Sequence, residues 1–266
     1  MNTLKDKRIL ITGASSGIGK ALACSLAAKG ADLILSSRNL EKLRIVSDTI
    51  KSDPATKHEP YIVSCDMSKT DEIKNLFNEC TRNQGKIDIL INNAGIGVYG
   101  ESDLTTMEDH KSIMEVNYFG AVQCMQEVLP QMMKRKEGMI VNICSVAALH
   151  GVPYLGAYGA SKAALVALSQ SMRAELSKFG ISLLVVYPGY TETDFFTNEK
   201  KVGNAFRPKR PYTPVQKVAN EIIRSIENNK KELVLTLEGK ALAITRAFLP
   251  GLVRKVMKKM AYNLTV

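Results

Sequence analysis

The sequence predicts a doubly wound parallel α/β sheet, and three observations carry that expectation. Apolar runs of strand length alternate with amphipathic stretches of helix length along most of the chain. Those runs are continuous rather than alternating, as in strands covered by helices on both faces. The first run passes through a glycine-rich turn straight into a helix, which is how a Rossmann-type βα unit begins. The expected architecture is a three-layer α/β/α sandwich forming a single domain over residues 1–238, with a C-terminal basic amphipathic helical extension over 239–266.

The elements follow in order. A strand at 9–12 precedes a helix starting near Gly17, and runs at 32–36, 61–65 and 87–91 each lead into a helix. A long helix beginning near Thr105 reaches about residue 136, followed by a strand at 139–143 and a second long helix over 157–179. A strand at 182–187, a helix at 215–228 and a strand at 232–237 complete seven strands. In the extension, Leu242, Phe248, Leu252, Val256 and Met260 alternate with Arg246, Arg254, Lys255, Lys258 and Lys259. That pattern reads as a helix pair broken near Pro250-Gly251.

Composition narrows the class. An apolar content of 45% with 23% charged residues in 266 is that of a soluble globular protein. Residues 1–8 enter the first strand without the apolar core of a secretory signal, and no run approaches the ~18 apolar residues of a membrane span. A cytoplasmic protein is expected. The five cysteines, odd in number and without a C-x-x-C pair, read as free thiols and predict neither disulfide nor metal site. The net charge of +10 lies wholly beyond residue 198, with 199–217 and 231–266 contributing +5 each. A basic amphipathic tail packs on its own domain, lies peripherally on an anionic membrane or binds an acidic partner; nucleic acid is not expected, because no recognition motif accompanies the charge.

The turn Thr12-Gly13-Ala14-Ser15-Ser16-Gly17-Ile18-Gly19 suits a phosphate cradle, since glycines admit close backbone approach and the new helix offers its positive end. Gly13-Ala14-Ser15-Ser16-Gly17 also matches a nucleophile elbow, but His58, His110 and His150 all precede the last core strands, where the partner histidine belongs. A Walker A loop fails at Ala14 and Ala21.

The G-x-x-x-G-x-G spacing is similar to that of the short-chain dehydrogenase/reductase family, and the likeness extends over about residues 6–237. Asn92-Asn93-Ala94-Gly95 follows the fourth run, Ser145 ends the fifth, Tyr158-Gly-Ala-Ser-Lys162 opens the next helix, and Pro188-Gly189 with Thr191 ends the sixth. The resemblance implies a nicotinamide-dependent oxidoreductase acting on a carbonyl/alcohol pair. Tyr158 and Lys162, at i and i+4, share a helix face, where an ammonium lowers a phenol pKa that is otherwise ~10. Ser145 would hold the substrate oxygen against Tyr158. Asn117 resembles the family's fourth catalytic residue, which holds a water in a proton relay to the lysine.

The second run ends in Ser36-Ser37-Arg38-Asn39, without the carboxylate that would bind an NAD ribose. Arg38, helped by Ser37 and Ser15, suits a 2′-phosphate, so NADP(H) is the expected cofactor. Gly13, Ser15, Ser16, Gly17, Ile18 and Gly19 would hold it by the turn, and Asp66 and Met67 resemble the adenine contact. Asn93, Ala94 and Gly95 would line the ribose side, Lys162 would reach the nicotinamide ribose beside Tyr158, and Pro188, Gly189 and Thr191 complete the implied set. Residues 190–213 resemble a lid, and Phe195, Phe196, Phe206, Tyr154, Leu155 and Tyr190 suggest a bulky apolar carbonyl substrate. The two long helices resemble the family's pairing surface, implying a homodimer or homotetramer. The alternative is an NADP(H)-binding regulatory or scaffold protein without turnover.

Overall fold

Each apolar run identified above becomes a strand of one parallel sheet in the computed structural model, which describes residues 3–206 and 211–264. The lid residues Arg207, Pro208, Lys209 and Arg210, and the last two positions of the tail, lie outside the described residues. In chain order the elements are β1 (Arg8–Thr12), α1 (Gly17–Ala27), β2 (Asp32–Ser37), α2 (Leu40–Lys51), β3 (Tyr61–Ser64), α3 (Thr70–Gln84), β4 (Ile89–Asn92), β5 (Val98–Gly100), α4 (Met107–Met114), α5 (Gly120–Arg135), β6 (Gly138–Ile143), α6 (Gly156–Leu176), β7 (Ile181–Tyr187), α7 (Phe195–Asn198), β8 (Lys200–Val202), α8 (Val215–Glu227), β9 (Glu232–Val234), α9 (Leu237–Phe248) and α10 (Pro250–Tyr262).

The sheet order is β3-β2-β1-β4-β6-β7-β9. Period-two geometry divides each continuous run between two cores. Ile9, Ile11, Leu33, Leu35, Ile89, Ile91, Leu184 and Val186 point toward α1, α2 and α8. Leu10, Ile34, Leu90, Leu183 and Val185 point toward α3, α5 and α6. A strand buried on both faces therefore needs an apolar residue at every position, which is the pattern the runs show.

The long helix expected from Thr105 is interrupted. It starts at Met107, where Thr106 and Asp109 form a capping box, and a π turn at Glu115–Phe119 separates α4 from α5. A second departure is the parallel pair β5–β8, registered Val98↔Lys200, Tyr99↔Lys201 and Gly100↔Val202. Three-residue strands carry too little periodicity to be read from sequence. Lys200 strengthens the pairing: its N–H donates to the Gly97 carbonyl at 3.0 Å, and its Nζ meets Asp109 Oδ1 at 2.6 Å. The Lys200 ammonium, with Thr106, holds the Asp109 carboxyl below the usual carboxylate range. The pair fastens the segment after α7 to the loop beyond β4.

Gly100 is required in this pair, because a Cβ there would overlap the Val202 carbonyl. Gly100→Ala should destabilise the fold by ~1–3 kcal/mol and expose residues 190–206 to limited proteolysis. An unchanged melting temperature and cleavage pattern would show that the pair does not hold that segment.

Candidate active site

The strand order reverses between β1 and β4, and crevices form beyond the carboxyl ends of strands at such a switch point. A cavity of about 990 Å³ lies there. Its first wall is the glycine turn. Gly13 and Gly17 have φ of +65° and +52°, and a Cβ on Gly13 would lie 2.8 Å from the Ala94 Cα. The approach is locked by hydrogen bonds. Asn93 Nδ2 donates to the carbonyls of Thr12 and Gly13, both at 3.0 Å, and Thr12 Oγ1 accepts from the N–H groups of Asn93 and Ala94, both at 3.1 Å. Gly13, Ser15, Ser16, Gly17, Ile18, Asn93, Ala94 and Gly95 all line the cavity. Gly19 does not; it packs α1 onto the Gly13 carbonyl, where no Cβ fits. Ser16 makes no side-chain cap on α1, which leaves the helix's first N–H groups and positive dipole end for an anion. These features fit a dinucleotide pyrophosphate.

At the outer end stand Ser37, Arg38, Asn39 and Lys42 from the β2–α2 junction, with Cys65, Asp66 and Met67 from the end of β3. Asn39 Oδ1 accepts from the Lys42 N–H at 2.9 Å, and Ser37 Oγ donates to the Asn39 carbonyl at 3.2 Å. Asp66 Oδ1 accepts from the N–H and hydroxyl of Ser68, both at 2.9 Å, fixing the carboxylate in place. Arg38 and Lys42 are both exposed and so bring two cations to this rim. Lys42 was not foreseen; its signal is the i+4 spacing from Arg38 across the cap.

The inner end gathers Ser145, Tyr158, Lys162, Pro188, Gly189 and Thr191. Ser145 Oγ accepts from the Ala147 N–H at 3.1 Å, capping a 3₁₀ turn at Val146–Ala148. A hydroxyl that accepts there still has its O–H to donate. Lys162 is buried, 4% exposed, and its Nζ donates to the Ile143 carbonyl at 2.9 Å. Burial pulls its ammonium below the ordinary lysine range. Cys65 and Cys144 also line the cavity, and burial pushes both thiols up to about 12, so neither is a thiolate near neutral pH. No histidine is among the lining residues described, which leaves Ser15 without the base a hydrolase needs.

Asn117 sits behind this wall, 1% exposed, in the π turn. Its Oδ1 accepts from the Ile96 N–H at 2.8 Å, and its Nδ2 donates to the Ile96 carbonyl and to Ser161 Oγ, both at 3.0 Å. Ser161 Oγ in turn donates to the Tyr158 carbonyl at 2.8 Å. Asn117 therefore joins the loop after β4 to the turn of α6 that carries Tyr158.

Of the residues expected to wall the substrate, Leu155, Tyr190, Phe195 and Phe196 line the same cavity, while Tyr154 and Phe206 are not among its lining residues. Phe195 packs on the Tyr158 ring at 5.5 Å between centroids, and Tyr190, Phe196 and Tyr212 cluster behind it. The far wall was not foreseen, because the tail reads from sequence as a separate extension. Leu242 and Thr245 of α9 and Leu252, Val253, Val256, Met257 and Met260 of α10 all face the cavity. Tyr154 Oη donates to the Ala261 carbonyl at 3.0 Å, and Arg246 donates to the Leu149 carbonyl. The available signal was the spacing of Val253, Met257 and Met260 along one helix face.

The family model described as short chain dehydrogenase matches residues 7–202. The chain is 36% identical over 269 residues to Dehydrogenase/reductase SDR family protein 7-like of Anopheles gambiae, covering 98% of this chain and 85% of that one. Among solved structures, a short chain dehydrogenase/reductase from Burkholderia phymatum in complex with NAD superposes with a TM-score of 0.83 at 26% identity, covering 95% of this chain and 96% of that one. An alcohol dehydrogenase from the archaeon Thermococcus sibiricus, complexed with 5-hydroxy-NADP, superposes with a TM-score of 0.76 at 25% identity, covering 86% and 95%.

The buried lysine has a measurable pH signature. Its folded pKa lies below the unfolded value of 10.5, so between those two values the unfolded chain binds the extra proton and stability rises with pH. The stability of the wild type relative to Lys162→Met, measured by denaturant unfolding, should therefore climb as pH is raised from neutrality toward 10.5. A flat difference would show that Lys162 is not desolvated.

Proposed function

The chain belongs to the short-chain dehydrogenase/reductase family, and from that premise we propose that it is an NADP(H)-dependent reductase of a bulky apolar ketone, aldehyde or 3-oxoacyl compound. The observation that carries this reading is that Ser145, Tyr158 and the buried Lys162 line one cavity with the glycine turn and Arg38. In this reading the chain up to about residue 238 forms the dinucleotide-binding and catalytic domain, and the extension after it, whose first helix α9 already begins at Leu237, walls the substrate with α9 and α10. The assembly is a homodimer or homotetramer in the cytoplasm.

The turn residues Gly13 to Gly17 and the N-terminus of α1 would hold the pyrophosphate, Asp66 and Met67 the adenine, and Arg38, Ser37 and Lys42 the 2′-phosphate. When bound, the nicotinamide supplies the hydride that the substrate carbonyl carbon accepts. Ser145 donates a hydrogen bond to the substrate oxygen and holds it at Tyr158. The Tyr158 O–H gives its proton to that oxygen as the alcohol forms. Lys162, one helical turn on, stabilises the phenolate left behind. Asn117 keeps the Tyr158 turn in register with the loop at Ile96. The apolar side chains of α9, α10 and the lid exclude water and favour a large apolar substituent on the carbonyl.

Fluorescence titration with NADPH and NADH, followed by turnover on aldehydes, ketones and 3-oxoacyl thioesters, tests this. Tyr158→Phe should bind NADPH normally and lose turnover by ~100-fold or more. Binding without turnover of any substrate would favour the scaffold reading. Arg38→Asp should weaken NADPH binding by about tenfold or more, through loss of a charge-assisted contact, and spare NADH. Equal loss for both cofactors would remove the 2′-phosphate assignment.

A further inference from the structure

Helices α9 and α10 pack on each other, and each presents two faces. The inner face, with Val253 and Met257 on α10 and Leu242 on α9, is turned to the cavity. The outer face is apolar too: Leu237 is 82% exposed, Ile244 62%, Phe248 79%, Leu249 54%, Leu252 51% and Val256 53%. Single exposed apolar side chains are ordinary, but a series continued over two helices marks a surface that is covered by something.

The charges on that face say what covers it. On α9, Lys240 falls at helical spacing beside Leu237 and Ile244; on α10, Lys255 and Lys259 interleave with Leu252 and Val256. All three lysines are exposed. Between residues 237 and 264, Glu238 is the single acidic residue against six basic ones. A second copy of the chain would bring these lysines against their own kind across a two-fold axis. No helix among the described residues is long and apolar enough to cross a membrane. Apolar side chains flanked by lysine on short helices suit a surface with an anionic headgroup layer over an apolar interior. Leu252 and Val256 belong both to the exposed face and to the cavity lining, so the cavity opens onto this same patch.

We infer that the outer face of α9 and α10 docks on an anionic lipid surface and that the substrate enters the cavity from that surface. The second half rests on the carbonyl chemistry proposed above; the docking does not.

Cosedimentation of the full chain with vesicles of phosphatidylcholine, with and without phosphatidylserine, tests docking without any turnover. Binding should require phosphatidylserine and weaken with salt. Ile244→Ser with Phe248→Ser should weaken it by about tenfold or more through lost apolar burial, and Lys255→Glu with Lys259→Glu should abolish it. Neither pair lies among the cavity-lining residues, so both variants should keep NADPH binding and turnover of a water-soluble ketone. Their turnover of a long-chain ketone carried in the vesicles should fall. Three outcomes would overturn the inference: no cosedimentation with either vesicle; retention on polyglutamate as strong as on vesicles and indifferent to the apolar pair, which marks an acidic protein partner; or lipid-free self-association dissolved by Ile244→Ser with Phe248→Ser, which marks an interface between copies. Vesicle binding without NADPH binding would instead sink the proposed function and leave the docking standing.

Discussion

The site depends on the Asn93 amide, which bridges the carbonyls of Thr12 and Gly13 while Thr12 Oγ1 accepts two N–H groups in return. These bonds join the ends of β1 and β4, the two strands between which the chain reverses its order in the sheet. Because the tie is backbone to side chain in both directions, the glycine turn and the Ala94-Gly95 loop are held as one unit. The glycines follow from it: with Ala94 drawn to within 2.8 Å of where a Gly13 Cβ would stand, no larger residue fits.

A second tie carries this order to Tyr158 at the inner end of the cavity. The π turn places the Asn117 amide on both backbone groups of Ile96, and Ser161 passes the connection to the Tyr158 carbonyl. Nearby, the Lys162 ammonium is buried against the Ile143 carbonyl, an arrangement costly to the charged form and therefore responsive to its surroundings. A lysine on the surface would titrate like any other; this one is tuned by its lack of water.

Much of this was legible in the sequence because strands buried on both faces have no polar alternation to hide in. Ile9 to Ile11 and Leu183 to Val186 announce the sheet, and Asn93, Ser145, Tyr158 and Lys162 stand out beside the glycine turn through their resemblance to the short-chain dehydrogenase/reductase pattern, which the structure gathers around one cavity. What escaped the reading has physical causes. The π turn is hard to read from hydrophobic period, since a single widened turn only displaces the phase and α4 before it is just 8 residues long. The pairing of Val98–Gly100 with Lys200–Val202 is too short to show a period. The role of α10 was hidden because an amphipathic pattern says that a face is covered but not by what. Lys42 was overlooked because a cation at the start of a helix is usually only solvated.

The far wall of the cavity is held less deeply than the sheet: Val253 is buried and Leu242 packs on the core, but much of the apolar surface of α9 and α10 stays exposed. Tyr154 Oη donates to the Ala261 carbonyl, Arg246 to the Leu149 carbonyl, and the Phe206 N–H to the Leu264 carbonyl. Leu237, Ile244, Phe248 and Leu252 stay more than half exposed, whereas Ile9 to Ile11 are wholly buried. The molecule thus has two tiers of cooperativity: a sheet that opens only with global unfolding, and a wall that opens by local fluctuation at lower free energy. On warming, the contacts of α9 and α10 loosen before those of the sheet, and the cavity loses its far wall while the fold is still native.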